Sequence, residues 1–259
     1  MILIKNSTYK ITHVDGKVER CPVDMKKQLN YNIANYLNRS QLNDDHFPIF
    51  HTDSFIYPDF MAMNTEKHKF HLTPTTALAF YTFDRTFDNK NGLYNAIYYN
   101  DKQLLAKYKK MYSGIKFVIG PDYSIFDNSW KQENESRLLK IRIIMLWFAF
   151  EIGAVVIPNA VYGSEDMLSY YHSGFEECEL FALSTKGHMR YAIERNRVKS
   201  VVKYLVDNTA VKTLLVYSAC GKDENTLKLF TYAKNHGISV IIVNNTLRQR
   251  NISKVEGVA

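Results

Sequence analysis

From about residue 76 onward the chain alternates short, unbroken apolar runs with longer stretches of helical periodicity. The runs occupy 77–83, 116–119, 154–157, 180–183, 213–217 and 238–243, and each ends on a polar tip. Strands buried on both faces read as continuous apolar runs, and a helix after each strand carries the chain back to start a parallel neighbour. The pattern therefore predicts six parallel strands. Helices are expected over 93–112, 133–151, 165–172, 189–207 and 225–235, with stops at Gly153 and Gly237, the residue type that accepts a left-handed cap. The stretch 141–150 is apolar nearly all round, interrupted by Arg142, and at about 10 residues it is half the ~20 that span a bilayer. It is expected to be a core helix burying Ile143, Ile144, Leu146, Trp147 and Phe150.

The amino-terminal third reads differently. Residues 7–21 alternate around Asp15 and Gly16, a pair that favours a tight hairpin turn. Leu29, Ile33 and Leu37 then recur at a spacing of four, a helical pattern over 25–37. Residues 44–74 have no period, and hold Pro48, Pro58 and Pro74 with five aromatics among them. So long an irregular stretch implies a packed arm or functional loop, and the aromatics argue for packing over disorder. The expected organisation is a hairpin, helix and irregular arm over 1–75, a parallel α/β domain over 76–250, and a tail over 251–259 that frays from Arg248. In a barrel every strand end points into one mouth, whereas in an open sheet only the tips at the switch point converge. Because nearly every tip is polar, an incomplete TIM-like barrel is expected, with an open doubly wound sheet as the alternative.

Composition narrows this little. At 259 residues and 46% apolar the chain can bury a substantial core. A net charge of +7, from 33 basic and 26 acidic residues spread along the chain, is compatible with a nucleic-acid or nucleotide partner without demanding one. The three cysteines, Cys21, Cys178 and Cys220, form no disulfide framework. The amino terminus lacks the long apolar core of a secretory signal. A cytoplasmic protein without a membrane partner is expected.

Candidate chemistry gathers at the tips. Asp84 and Asp122 follow the first two runs and Asn159 follows the third. Two carboxylates beside an amide suit an acid/base pair, or Mg²⁺ or Mn²⁺ held by Asp84 and Asp122 on a phosphate-bearing substrate. The plainer reading is that each Asp caps a helix or binds loop amides. Arg85 is a candidate to steady a phosphate or to pair with Asp84. The turns LSTKGHM (183–189) and YSACGKDEN (217–225) place Ser184, Thr185, Lys186, Ser218 and Lys222 where backbone amides can cradle an anion, although neither turn matches a known phosphate loop. Cys220 reads as a structural thiol, because no histidine partner can be assigned to it. His68 and His71 lack the further ligands that zinc requires. Tyr98, Tyr99, Tyr108 and Tyr112, interleaved with Lys102, Lys107, Lys109 and Lys110, read as core packing with a solvated lysine face, or as a base-stacking helix.

Taken together, FYTFDRTF (80–87), IGPDYSIF (119–126), VVIPNAVYG (155–163), CELFALSTKG (178–187) and LLVYS (214–218) resemble an uncharacterised domain-of-unknown-function family found in phages, integrative elements and bacterial genomes. The resemblance spans about 47–220. Members often carry a second acid where this chain has Arg85, a Trp near Tyr162 and a Gly near Ser218. The resemblance implies a shared fold and a mobile-element setting, and carries no activity. The expected function is action on a phosphate-containing ligand, nucleotide or nucleic acid, at a mouth formed by Asp84, Asp122, Asn159, Ser184 and Ser218. The rivals are a non-catalytic nucleic-acid or protein-binding accessory factor and a small-substrate metabolic enzyme.

Overall fold

A computed structural model describes residues 8–12, 18–22, 31–126 and 128–257. Strands β1 (Thr8–Thr12) and β2 (Val18–Pro22) pair antiparallel with Thr12 opposite Val18. The expected hairpin is thus present, while its Asp15–Gly16 turn lies outside the described residues. Helix α1 (Tyr31–Asn38) covers the end of the helical pattern that follows.

The body is a mixed α/β arrangement of two all-parallel sheets. One has the order β3 (Met61–Met63), β4 (Ala77–Ala79), β5 (Phe117–Ile119), β6 (Val155–Ile157), and the other β7 (Leu180–Ser184), β8 (Thr213–Tyr217), β9 (Ser239–Val243). Strands β4 to β9 are the six apolar runs. Strand β3 comes from the stretch read as irregular, where three residues are too few to establish a period. The sheets are two rather than one, but single parallel bridges join them at both edges, Asn159 with Ala182 and Phe60 with Asn244. At the first, the Ala160 N–H donates to the Ala182 carbonyl at 2.7 Å; at the second, the Met61 N–H donates to the Asn244 carbonyl at 2.8 Å.

Alternation along the strands separates two cores. Met61, Met63, Ala77, Ala79, Phe117, Ile119, Ile157, Leu180, Ala182, Leu215, Tyr217 and Val243 form one cluster drawn from all seven of these strands. Their neighbours, such as Ala62, Leu78, Val118, Val156, Phe181 and Val216, pack outward against the helices. Both faces are buried along β3 to β8, apart from Val155 at the start of β6, hence the unbroken apolar runs; β9 is half-buried. The outer core is dominated by α5 (Lys131–Trp147), where Ile143, Ile144, Leu146 and Trp147 are buried as expected and Phe150 is half-buried. Each such side chain contributes roughly 1.5–3 kcal/mol by leaving water. The helix widens into a π turn over Phe148–Ile152 and stops at Gly153, φ 73°.

Elsewhere the helices are α2 (Asp84–Phe87), α3 (Leu93–Tyr98), α4 (Lys102–Met111), α6 (Leu168–Tyr171), α7 (Ala192–Asn208), α8 (Asp223–Leu227), α9 (Thr231–Asn235) and α10 (Thr246–Val255). The single helix expected over 93–112 breaks at Asn100, φ 52°, after which the Asp101 carboxylate accepts from the Leu104 N–H at 3.0 Å and starts α4. The polar stretch expected to fray is α10, capped by Asn245 and tied to the body where Asn251 Nδ2 donates to the Ala219 carbonyl at 2.6 Å.

The arm is stitched along the start of β7. The Phe50 N–H donates to the Gly174 carbonyl and the Glu179 N–H to the Thr52 carbonyl, both at 2.9 Å. Gly174 has φ 86°, and a Cβ there would sit 2.4 Å from the Pro48 carbonyl oxygen, so only glycine lets the two segments approach this closely. Among the described residues no helix is long and apolar enough to cross a membrane.

Candidate active site

Because β4, β5 and β6 run parallel, the residues just beyond them meet at one edge. Tyr81 follows β4, Asp122 follows β5 and Asn159 follows β6. The Tyr81 hydroxyl donates to Asn159 Oδ1 at 2.9 Å, and Asn159 Nδ2 donates to Asp122 Oδ1 at 2.9 Å. Asn159 is buried, so both ends of its amide are committed and its orientation is determined. Burial raises the Asp122 carboxyl from an ordinary 3.8 to about 7; the Asn159 bond and the Lys186 charge oppose the rise, and the Asp84 charge adds to it. The Tyr81 and Tyr162 hydroxyls are pushed above their usual range by burial first and then by the Asp122 charge.

Asp122 lines a cavity of about 180 Å³ with Ser124, Tyr162, Gly163, His188 and Arg197. His188 is held on two sides. Its Nδ1 donates to Glu194 Oε2 at 2.9 Å, while the Tyr162 ring lies 4.4 Å from the imidazole, centroid to centroid. Tyr162 is anchored by its hydroxyl, which donates to the Ser184 carbonyl at 2.8 Å, and Glu194 also accepts from Arg197 NH1 at 3.1 Å. With Nδ1 committed to a carboxylate, Nε2 is the ring's remaining nitrogen. The cavity therefore combines a carboxyl that is half protonated near neutral pH, an imidazole oriented by a carboxylate, and a guanidinium. That set has the chemical groups that general acid–base catalysis uses.

The other sequence candidates divide. Asp84 lies near enough for its charge to act on Asp122. Its own carboxylate accepts from the Ser124 N–H at 3.3 Å, the Ser124 hydroxyl at 3.2 Å and Arg137 NH1 at 3.1 Å. Its partner is Arg137 on α5 rather than Arg85, which is exposed and lies 5.8 Å from the Phe83 ring centroid. Lys186 Nζ donates to the Tyr81 carbonyl at 3.0 Å, which keeps its charge at the site. Ser184 contributes its carbonyl to Tyr162, while its hydroxyl accepts from the Lys186 N–H at 3.1 Å. Thr185 is buried and donates to the Tyr217 carbonyl. Ser218 is turned away, bonding the Thr226 hydroxyl at 2.8 Å and accepting from the Cys220 N–H at 3.1 Å. Lys222 is exposed beside α8. Among the described residues no group of three or more His, Cys, Asp or Glu is placed to hold a metal ion.

Sequence reasoning missed Tyr81, Tyr162, His188, Glu194 and Arg197. Tyr81 hides at the end of an apolar run. His188 stands inside the LSTKGHM turn, and its carboxylate partner follows six residues later at the start of α7, a spacing with no motif behind it. Along 98–112, Tyr112 is buried, Tyr98 and Tyr108 are half-buried and Tyr99 is exposed, as are the lysines. A cavity of about 500 Å³ lies between α4 and the segment before α3.

A family model described as a domain of unknown function, DUF4417, matches residues 46–234. The chain belongs to this family. The matched span includes β3 to β8 and every residue of the cavity. No curated protein and no solved structure matches the chain.

Proposed function

We propose that the chain is an enzyme that moves a proton with Asp122 and His188 on a phosphate-containing ligand, a nucleotide or nucleic acid, bound where the strands end. The observation that carries this reading is the shared cavity: a carboxyl raised to about 7 and an imidazole oriented by Glu194 line the same small space. Buried pairs of titratable groups whose environments set their protonation are characteristic of catalytic sites. Arg197 and Lys186 supply positive charge for an anionic group.

The reading includes an incomplete TIM-like barrel as the scaffold. Its support is the parallel bridge at each sheet edge and an inner cluster that draws on all seven strands, neither of which an open doubly wound sheet calls for. It also includes the cytoplasm as the place of action and the phage or mobile-element setting that the resemblance implies.

A second reading places Mg²⁺ or Mn²⁺ between Asp84 and Asp122, favoured by the repulsion each carboxylate exerts on the other. It requires Arg137 to release Asp84. The non-catalytic accessory factor is the third.

The test is turnover of a panel of nucleotides and oligonucleotides from pH 5 to 9, with and without Mg²⁺ or Mn²⁺. Asp122→Asn and His188→Asn should each lower the rate about 10²- to 10⁴-fold while the melting temperature holds. Equal turnover in both variants and the wild type defeats the acid–base reading. Saturable calorimetric binding of Mg²⁺ that disappears in Asp84→Asn selects the metal reading.

A further inference from the structure

The cavity is smaller than the 300–1,000 Å³ of sites that enclose a whole drug-sized ligand, at about 180 Å³. Only the reacting end of a ligand enters it, so the rest must lie on the rim. Chain segments adjoining the cavity residues expose large aromatic rings. Phe83 is 79% exposed, Trp130 81%, Tyr191 56% and Phe126 47%.

Phe83, Phe126 and Tyr191 each stand near a cavity residue, or a partner of one, along the chain. Phe83 precedes Asp84, whose carboxylate holds the cavity residue Ser124. Phe126 follows two residues after Ser124, and its backbone N–H and carbonyl are both bonded by the buried Asn134 side chain, at 3.3 and 2.9 Å. Arg190 and Tyr191 follow the cavity residue His188 and lead into α7. Three of the rings carry a guanidinium: Arg85 at 5.8 Å from the Phe83 centroid, Arg137 at 5.0 Å from Phe126 and Arg190 at 5.1 Å from Tyr191. Arg85 and Arg190 are themselves exposed.

We propose that this rim binds an unpaired nucleic-acid strand, with bases stacked on Phe83, Phe126 and Tyr191 and phosphates met by Arg85 and Arg190. The proposal rests on the catalytic reading of the cavity and names its substrate class. Aromatic faces interleaved with cations are the chemistry of single-strand binding, because every base has a face to stack and every linkage a charge to meet. The net charge of +7 favours the same partner. A protein partner would instead call for a rim depleted of charge at its centre.

The experiment is fluorescence anisotropy of the full chain with a fluorescein-labelled twelve-nucleotide oligothymidylate, single-stranded or annealed, over a series of salt concentrations. The single strand should bind at least about tenfold tighter than the duplex. Phe83→Ala and Tyr191→Ala should each weaken it about 5- to 150-fold with the melting temperature unchanged. Arg85→Ala and Arg190→Ala should each make the plot of log affinity against log salt shallower by about 0.7, the share of one phosphate. Asp122→Asn should bind at least as tightly as the wild type. Loss of turnover in Asp122→Asn without strand binding therefore overturns the rim and spares the acid–base reading, and the converse result does the opposite. Duplex preference, or binding unmoved by all four rim substitutions, overturns the proposal. Absence of saturable binding does too, and leaves the surface to a protein partner.

Discussion

Arg142, at the seam between arm and body, and Asp122, at the mouth, are both ionisable groups whose protonation burial shifts, but Arg142 is fully buried while Asp122 is half-buried and lines a cavity. At the seam, Arg142 NH2 donates to the Tyr171 and Ser173 carbonyls at 3.0 and 3.1 Å, and the guanidinium lies 3.6 Å from the Phe175 centroid. Burial pulls its pKa down to about 9. Beside it, His172 Nε2 accepts from the Val161 N–H at 3.1 Å, which puts the proton on Nδ1, donating to the Leu168 carbonyl at 2.9 Å. Both of its nitrogens are spent on the main chain, and burial holds its pKa down at about 4. At the mouth, Asp122 spends one oxygen on Asn159 and lines open space, and His188 spends one nitrogen on Glu194. Burial shifts protonation in both regions. Chemistry needs the further condition that part of the group remains available to a ligand.

The largest effect that tests this contrast is Arg142→Ala, which leaves two carbonyls without a donor and a void between Phe175 and Phe47. It should cost about 3–5 kcal/mol in a denaturant melt. A loss below about 1 kcal/mol would show that the seam is not structural and break the comparison.

His172 comes next. Its folded pKa of about 4 lies below an ordinary 6.5, so between these values the unfolded chain binds more protons. His172 alone should contribute a loss of up to roughly 3 kcal/mol as pH drops from 6.5 to 4, and His172→Gln should remove that contribution. Melts of both proteins at half-unit pH steps check it.

Asp122 should give the smaller effect with the opposite sign. Its folded pKa of about 7 lies above 3.8, so the native state binds more protons, and stability should fall as pH rises from about 4 to 7. Because the residue is partly exposed, roughly 2 kcal/mol is expected rather than the full shift. Asp122→Asn keeps an acceptor for Asn159 and removes the charge, so it should be more stable than the wild type at pH 8 and nearly equal at pH 4. Between pH 4 and 6.5 the two residues oppose each other, so the wild-type profile alone is nearly flat and the variants are needed to expose either. A variant Asp122→Asn less stable at pH 8 would make that carboxylate a scaffold group like those of the seam.

The sequence by itself determined that the body is built from parallel strands. Runs such as Thr213–Tyr217 have no polar face to offer solvent, so they must be covered on both sides, and the helical stretches between them supply the cover. It also placed Asp122 and Asn159 at strand ends, because a polar residue closing an apolar run is visible without neighbours. Only the tertiary structure decided β3, whose pairing to β4 comes from the partner strand rather than from any period of its own. It likewise decided that Asp84 pairs with Arg137, 53 residues away, and not with the adjacent Arg85. Neighbours in a helix point in different directions, while a residue on a packed helix can be brought opposite. His188 and Tyr162 meet for the same reason: strand-end loops that are distant in the chain converge at one edge of parallel strands. Which side chains share a cavity is therefore a property of the packing, and local sequence records only that each loop has something polar to bring.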